Sequence, residues 1–152
     1  MITGLDHFVL VCPEIGAATA VYESLLGRPA DWRASADGAA TAIFRLENTS
    51  LELMAAFIIS PEAALPVVDV PSGSATTLDH IVINTPNPDR ALGLYGARLG
   101  LDLALDRTRE EWKTRFLFFR TGGLTFEVIH RLGETHDPAA PDSIWGLTWK
   151  VD

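Results

Sequence analysis

Apolar and polar positions follow the same pattern twice along this 152-residue chain. In the first copy the pattern predicts a strand at 5–11, a helix with apolar residues on one face at 14–26, and strands at 28–35, 39–46 and 51–57. In the second copy it predicts a strand from 78, a helix from 88 to 99, and strands at 101–108, 114–121 and 124–131. A last strand is predicted at 144–151. The order strand, helix and three strands therefore occurs twice, as a duplicated supersecondary unit does.

The two copies also share individual residues. Those of the opening strand and the helix return 73 positions later, and those of the closing strands return 75 positions later. The matched sets are Leu5-Asp6-His7 with Leu78-Asp79-His80, Tyr22 with Tyr95, Leu26-Gly27 with Leu99-Gly100, Phe44-Arg45 with Phe119-Arg120, and Glu52 with Glu127. A two-residue insertion in a loop accounts for the change of offset.

We expect one domain over 1–152, with module one at about 3–57 and module two at about 78–132. Proline and glycine residues mark 58–77 as a linker, and a loop with a strand fills 133–152. This last strand is either an added edge strand or the start of a further unit. Its apolar residues Trp145 and Trp149 favour a homodimer, because exposed sheet edges invite pairing.

Composition narrows the class of partner. The net charge of −8 argues against a nucleic-acid or anionic-membrane partner, which leaves a small-molecule substrate. The single cysteine, Cys12, rules out an intrachain disulfide. Neither a signal peptide nor an apolar run of membrane-spanning length is evident, so a cytoplasmic location is expected.

Four polar residues interrupt the apolar strands at matched positions: His7, Glu52, His80 and Glu127. An ionised carboxylate on a partly buried strand is costly unless it is paired or bound to a metal. Taken singly, a strand histidine is usually a satisfied core or surface residue, and a strand glutamate usually faces water. Two imidazoles and two carboxylates at equivalent positions instead favour a four-ligand metal site.

At these residues the chain resembles the vicinal oxygen chelate superfamily, which includes glyoxalase I, extradiol dioxygenases and bleomycin-binding proteins. The resemblance implies an α+β fold in which two tandem βαβββ modules form a U-shaped, partly closed mixed sheet with the helices outside. It also implies one divalent metal ion per site (Zn, Ni, Mn, Co or Fe(II)), ligated by His7, Glu52, His80 and Glu127.

The same resemblance directs the prediction of function. A side-chain ligand at Glu52 favours a divalent-metal-dependent lyase or isomerase of the glyoxalase I type. Such an enzyme acts on a small substrate with vicinal oxygens through a metal-stabilised enediolate, with Glu127 as the base and Glu52 as the alternative. An extradiol-type dioxygenase and a non-catalytic binding or resistance protein stay open. The turn at 121–123 departs from that of typical lactoylglutathione lyases, so use of glutathione is not implied.

Five further residues carry weaker predictions. Arg45, Arg120 and Phe118 are candidates for binding substrate, although strand arginines more often lie along a surface. Strand alternation predicts that Asp6 and Asp79 point away from the neighbouring histidines and tie down the strand starts.

Overall fold

The computed structural model describes residues 2–56 and 75–151. In chain order, its strands and helices are β1 (His7–Val11), α1 (Ile15–Leu26), β2 (Trp32–Ala36), β3 (Ala39–Arg45), β4 (Ser50–Ala56), β5 (Thr77–Asn84), α2 (Pro88–Ala91), a π-helical segment (Leu92–Arg98), β6 (Asp102–Arg109), a 3-10 turn (Glu110–Trp112), β7 (Thr114–Thr121), β8 (Leu124–Arg131) and β9 (Ser143–Lys150). Most of the predicted linker at 58–77 lies outside the described residues. No helix within the described ranges has the length and apolar content needed to cross a membrane.

The strands pair as two βαβββ modules, which confirms the predicted α+β class. The first module has the strand order β1-β4-β3-β2, and the second has β6-β7-β8-β5-β9. The β1–β4 and β5–β8 pairs are parallel, while the hairpin pairs of each module are antiparallel. Each sheet is therefore mixed. Strand β9 is an added strand beside β5, one of the two alternatives left by the sequence.

The described chain divides into two compact units. One unit contains Leu78–Trp149 together with the N-terminal residues up to Leu5. The other contains the described residues from Asp6 to Thr77 together with those from Lys150 onward. Each unit holds one module, with its own sheet and helix, and therefore its own small core.

In the first module, the core lies between α1 and one face of the sheet. Phe44, Leu51 and Leu53 are at most 1% exposed, and the ring of Tyr22 on α1 lies 6.3 Å from that of Phe44. Because side chains alternate along a strand, burial of Leu51 and Leu53 turns Glu52 to the opposite face. Packing of the core thus sets the direction of the candidate ligand.

The second module repeats this arrangement. Phe119 and Val128 are fully buried, and Tyr95 of the π-helical segment contacts Phe119 and Phe126 with ring centroids 5.7 and 6.3 Å apart. Alternation then places Glu127, between Phe126 and Val128, on the sheet face away from the helix.

The second helix departs from its predicted form. It begins as expected, with the Asn87 side chain capping α2 and Pro88 in its first turn, but it widens to a π-helix over Leu92–Arg98. The amide of Leu99 donates to the carbonyl of Leu94, five residues earlier, at 3.0 Å. Gly93 and Gly96 lie in this stretch, and glycine weakens the preference for α-helical geometry.

Candidate metal and substrate site

The first candidate pair lies on β1 and β4 of the first module. His7 Nε2 is 4.0 Å from Glu52 Oε2, with the two side chains 48% and 22% exposed. The parallel register pairs Glu52 with Val9. His7 lies two residues before Val9 on β1, so His7 and Glu52 share one face of the sheet. The other carboxylate oxygen, Glu52 Oε1, accepts a hydrogen bond of 2.9 Å from Thr41 Oγ1.

The second candidate pair is closer and less exposed. His80 Nε2 lies 3.2 Å from Glu127 Oε2, and these side chains are 23% and 16% exposed. Thr148 Oγ1, from the added strand β9, lies 2.8 Å from the same imidazole nitrogen. The elements that supply this pair, β5 and β8, correspond to those that supply the first pair, as the repeat predicts.

The predicted direction of the two aspartates that precede the histidines is wrong. Asp6 Oδ2 and Asp79 Oδ2 each lie 2.8 Å from Nδ1 of the adjacent histidine. A side chain can fold back across its own strand edge to meet its neighbour, which alternation of Cβ directions does not describe. A carboxylate at Nδ1 favours a proton on that nitrogen and turns the Nε2 lone pair toward the facing glutamate, and at His80 this lone pair also lies within hydrogen-bond distance of the Thr148 hydroxyl. This is the orientation that a metal-binding histidine needs.

The donor set of each pair suits a cation. With Nδ1 protonated, the Nε2 lone pair and the facing carboxylate oxygen both carry negative charge density, so they repel unless a proton or a cation lies between them. Bonds of about 2.0–2.2 Å from a metal to nitrogen and oxygen place two adjacent donors roughly 3.0–3.4 Å apart. The 3.2 Å separation of His80 and Glu127 fits that span, and the 4.0 Å separation of His7 and Glu52 is wider.

Within each unit, the structure brings one predicted histidine and one predicted glutamate together. Among residues 2–56 and 75–151, no cluster of three or more His, Cys, Asp or Glu side chains is arranged to hold a metal ion. One site with four ligands therefore stays a prediction.

A cavity of about 440 Å³ opens over the first pair. His7 and Glu52 line it, together with Arg45, Ile43 and Trp32. Arg45 was predicted to bind substrate, and it lies in the cavity that holds the candidate ligands of its module.

The other two substrate-binding candidates lie on β7 of the second module. Phe118 is the antiparallel partner of Glu127, and Arg120 is the partner of Thr125. Both therefore share the sheet face of Glu127. Phe118 is half-buried against Phe116, with ring centroids 6.4 Å apart, and Arg120 is exposed.

Sequence reasoning did not single out three residues of these sites: Thr41, Thr148 and Trp32. The signal for Thr41 was available, because alternation places it on the face of Ile43 and Arg45. Thr148 lies 68 residues from its histidine, on a strand whose position beside β5 no local pattern indicates.

The fold and the paired His and Glu define a protein of the vicinal-oxygen-chelate class. The model of the Glyoxalase/Bleomycin resistance protein/Dioxygenase superfamily matches residues 77–152. The chain belongs to this superfamily, and the resemblance seen in its sequence is confirmed. No curated protein sequence matches the chain significantly.

Solved structures with the same fold include enzymes. A mutant of 4-hydroxymandelate synthase from Streptomyces coelicolor has a TM-score of 0.66 at 12% identity, covering 98% of this chain and 71% of that chain. A mutant of glyoxalase I from Zea mays has a TM-score of 0.65 at 12% identity, covering 87% of this chain and 69% of that chain. At such identities the likeness concerns the fold.

Proposed function

We propose that this protein is a divalent-metal-dependent lyase or isomerase of the glyoxalase I type, acting on a small substrate with vicinal oxygens. The observation that carries the proposal is the His80–Glu127 pair, with its 3.2 Å separation and the Asp79 carboxylate on Nδ1. The first module repeats the same arrangement with His7, Glu52 and Asp6.

His7, Glu52, His80 and Glu127 are the proposed ligands, and they suit Zn, Ni, Mn, Co or Fe(II). The metal, when bound, supplies the Lewis acidity that makes a C–H bond beside the vicinal oxygens more acidic. The chain supplies the orientation of the imidazoles, through the aspartates, and the base that accepts the proton.

Glu127 is the proposed base. Its counterpart Glu52 accepts a hydrogen bond from Thr41, which anchors that carboxylate in one orientation. In the second module, the position equivalent to Thr41 is occupied by Phe116, which has no donor to offer. Among the described residues, Glu127 pairs with His80 and receives no hydroxyl or amide hydrogen bond. Glu127 therefore lacks the hydroxyl contact that anchors Glu52, and we assign the role of base to Glu127 and that of ligand to Glu52.

Metal content tests the first half of the proposal. Purified protein loaded with Zn or Mn and then dialysed is expected to retain a stoichiometric amount of metal by elemental analysis. His80→Ala is expected to lose it, and His136→Ala, in a loop outside the pairs, is expected to keep it. Wild-type protein without stoichiometric metal, or equal metal content in both variants, contradicts the proposal that the protein is a metalloenzyme.

Proton abstraction tests the second half. The metal-loaded protein in D₂O is expected to exchange the C–H next to the vicinal oxygens of a 2-oxoaldehyde–thiol adduct, as followed by NMR. Removing an essential general base commonly costs about 10²–10⁴-fold in rate, so Glu127→Gln is expected to lose exchange by that factor. The exposed Glu110→Gln is the matched control. Oxygen uptake with catechol, without exchange, would instead favour a dioxygenase.

A homodimer remains part of the proposal. Light scattering on the full chain measures its mass directly, and a mass near that of a monomer over the working concentration range contradicts it.

A further inference from the structure

The cavity over His7 and Glu52 holds more than candidate metal ligands. Its volume of about 440 Å³ lies within the range of small-molecule sites. Trp32 and Ile43 form apolar lining, and Arg45 supplies a guanidinium. The site therefore combines donors for a metal with groups that recognise an organic ligand.

Trp32 leaves half of its surface uncovered. It is 49% exposed, it lies on the edge strand β2, and its antiparallel partner is Ile43. Among the described residues no aromatic ring stacks on it. An indole is costly to leave in water and offers a flat apolar surface with one N–H donor, which suits a planar ligand.

Two hydrogen bonds hold the backbone of Arg45, and within the described residues its guanidinium forms no ion pair, although its charge helps to lower the pKa of Asp31. Its amide donates to Asp31 Oδ2 at 2.7 Å, and its carbonyl accepts a hydrogen bond from Arg28. The other two arginines of the first module, Arg28 and Arg33, form ion pairs with Asp31 and Glu23. Within the described residues Arg45 has no such partner, although the chain carries a net charge of −8.

The second module also has an apolar side chain and an arginine beside its glutamate. Phe118 and Arg120 occupy the positions equivalent to Ile43 and Arg45, and Phe118 lies directly across from Glu127. Phe116 extends this apolar surface along β7. In both modules an apolar or aromatic side chain and an arginine therefore share the sheet face of the carboxylate.

We propose that Trp32 and Arg45 form a recognition subsite for an aromatic carboxylate. The ring of such a ligand would lie against the indole, and its carboxylate would pair with the guanidinium, which binds carboxylates bidentately. The inference rests on the proposed function in one respect: the vicinal oxygens of the same ligand would bind the metal that His7 and Glu52 would hold. It narrows the substrate class to aromatic anions with vicinal oxygens.

Binding of three related probes to the full chain tests this subsite by calorimetry under nitrogen. The first, 3,4-dihydroxybenzoate, carries the ring, the vicinal oxygens and the carboxylate. Catechol lacks the carboxylate, and glycerate lacks the ring. Wild-type protein is expected to bind the first probe at least about tenfold more tightly than either of the others, since a charge-assisted hydrogen bond contributes about 1.5–3 kcal/mol.

Variants assign the preference to the two residues. Arg45→Met is expected to bind 3,4-dihydroxybenzoate and catechol equally, while Trp32→Leu is expected to lose the preference over glycerate. The exposed Arg98→Met and Trp112→Leu serve as matched controls and are expected to behave as wild type. Thermal unfolding checks that each variant is folded, and Arg45→Lys, which keeps the charge, is expected to retain a reduced preference.

Equal binding of all three probes, or a preference that survives both substitutions, overturns the inference. Measuring metal content on the same samples separates this failure from failure of the proposed function. Protein that binds metal without the preference keeps the proposed function and loses the subsite. If metal-free protein shows the preference and Arg45→Met loses it, the subsite is supported and the proposed metal chemistry is not.

Discussion

The carboxylate of Asp142 joins the loop before β9 to the rest of the second module. Its side chain is 12% exposed and accepts hydrogen bonds from Thr85 Oγ1 at 2.7 Å, Arg90 Nη2 at 2.7 Å and Tyr95 OH at 3.1 Å. Strand β9 begins at the next residue, and it carries Thr148 to the imidazole of His80. Asp142 therefore fixes the strand that completes the second candidate pair, and Asp142→Asn tests that role.

The expected loss is about 2–3 kcal/mol of folding free energy. Removing one partner of a buried ion pair typically costs about 3–5 kcal/mol, because the other charge is left without compensation. Here Arg90 also donates to the carbonyls of Pro138 and Ala140, at 2.9 and 2.8 Å. The guanidinium is thus still hydrogen-bonded in the variant, and we take a value below the usual range. For a chain of this size the loss lowers Tm by about 4–12 °C.

The folding free energy lost in Asp142→Asn is expected to depend on pH. Burial by itself raises the pKa of Asp142, but the hydrogen bonds from Thr85, Arg90 and Tyr95 outweigh it and hold that pKa below its ordinary value. A carboxyl group whose pKa is lowered on folding contributes stability that is present above its unfolded pKa, about 3.9, and lost as the pH falls through the folded value. The difference in stability between wild type and Asp142→Asn is therefore full at pH 7 and shrinks below about pH 4.

Thermal unfolding followed by circular dichroism at pH 7 and at pH 3 measures this difference, with the exposed Asp102→Asn as the control. Alkaline absorbance titration gives a second readout. Burial, and then the charge of Asp142, raise the pKa of Tyr95 to about 12, so this pKa is expected to fall in the variant. A Tm within about 1 °C of wild type at pH 7, where about 4–12 °C is expected, or a difference that does not change with pH, refutes the reasoning.

Three further changes have defined outcomes. Asp79→Asn is expected to weaken metal binding at His80 by about 10–100-fold in competition with a chromophoric chelator, because the imidazole loses its orienting carboxylate. Gly122→Ala is expected to cost about 2–4 kcal/mol in denaturant unfolding, since Gly122 has φ +49° and an added Cβ would meet the carbonyl oxygen of Thr3 at 2.2 Å. Phe44→Ala empties a fully buried position and is expected to cost about 3–5 kcal/mol in the same assay.

The order strand, helix and three strands occurs twice in the sequence, and this made the two βαβββ modules predictable. Alternation along the last strand of each module was equally informative. Leu51 and Leu53 are buried, as is Val128, so Glu52 and Glu127 point away from the helices as expected. Local periodicity is sufficient for such results because it depends on neighbours in the same strand.

Contacts that depend on side-chain torsions or on distant strands were not predictable in this way. Asp6 and Asp79 reach the adjacent imidazoles by rotation about their own side-chain bonds, and a pattern of Cβ directions contains no such information. The sequence predicts a regular α-helix where Leu92–Arg98 is π-helical, because the apolar spacing of the two forms differs little over so short a segment.

Duplication explains the matched pairs, whereas chemistry requires that the two pairs differ. A metal-assisted proton transfer uses one carboxylate to bind the metal and another to accept a proton, and identical surroundings would not distinguish the two roles. The exchange of Thr41 for Phe116 at equivalent positions supplies the difference, because it gives a hydroxyl donor to Glu52 and none to Glu127. Thr41→Val removes the hydroxyl that donates to Glu52, so neither glutamate then has a hydroxyl donor. Because Glu127 is the proposed base, the rate of proton exchange in this variant is expected to stay close to that of wild type. A changed rate contradicts the assignment of Glu127 as the base.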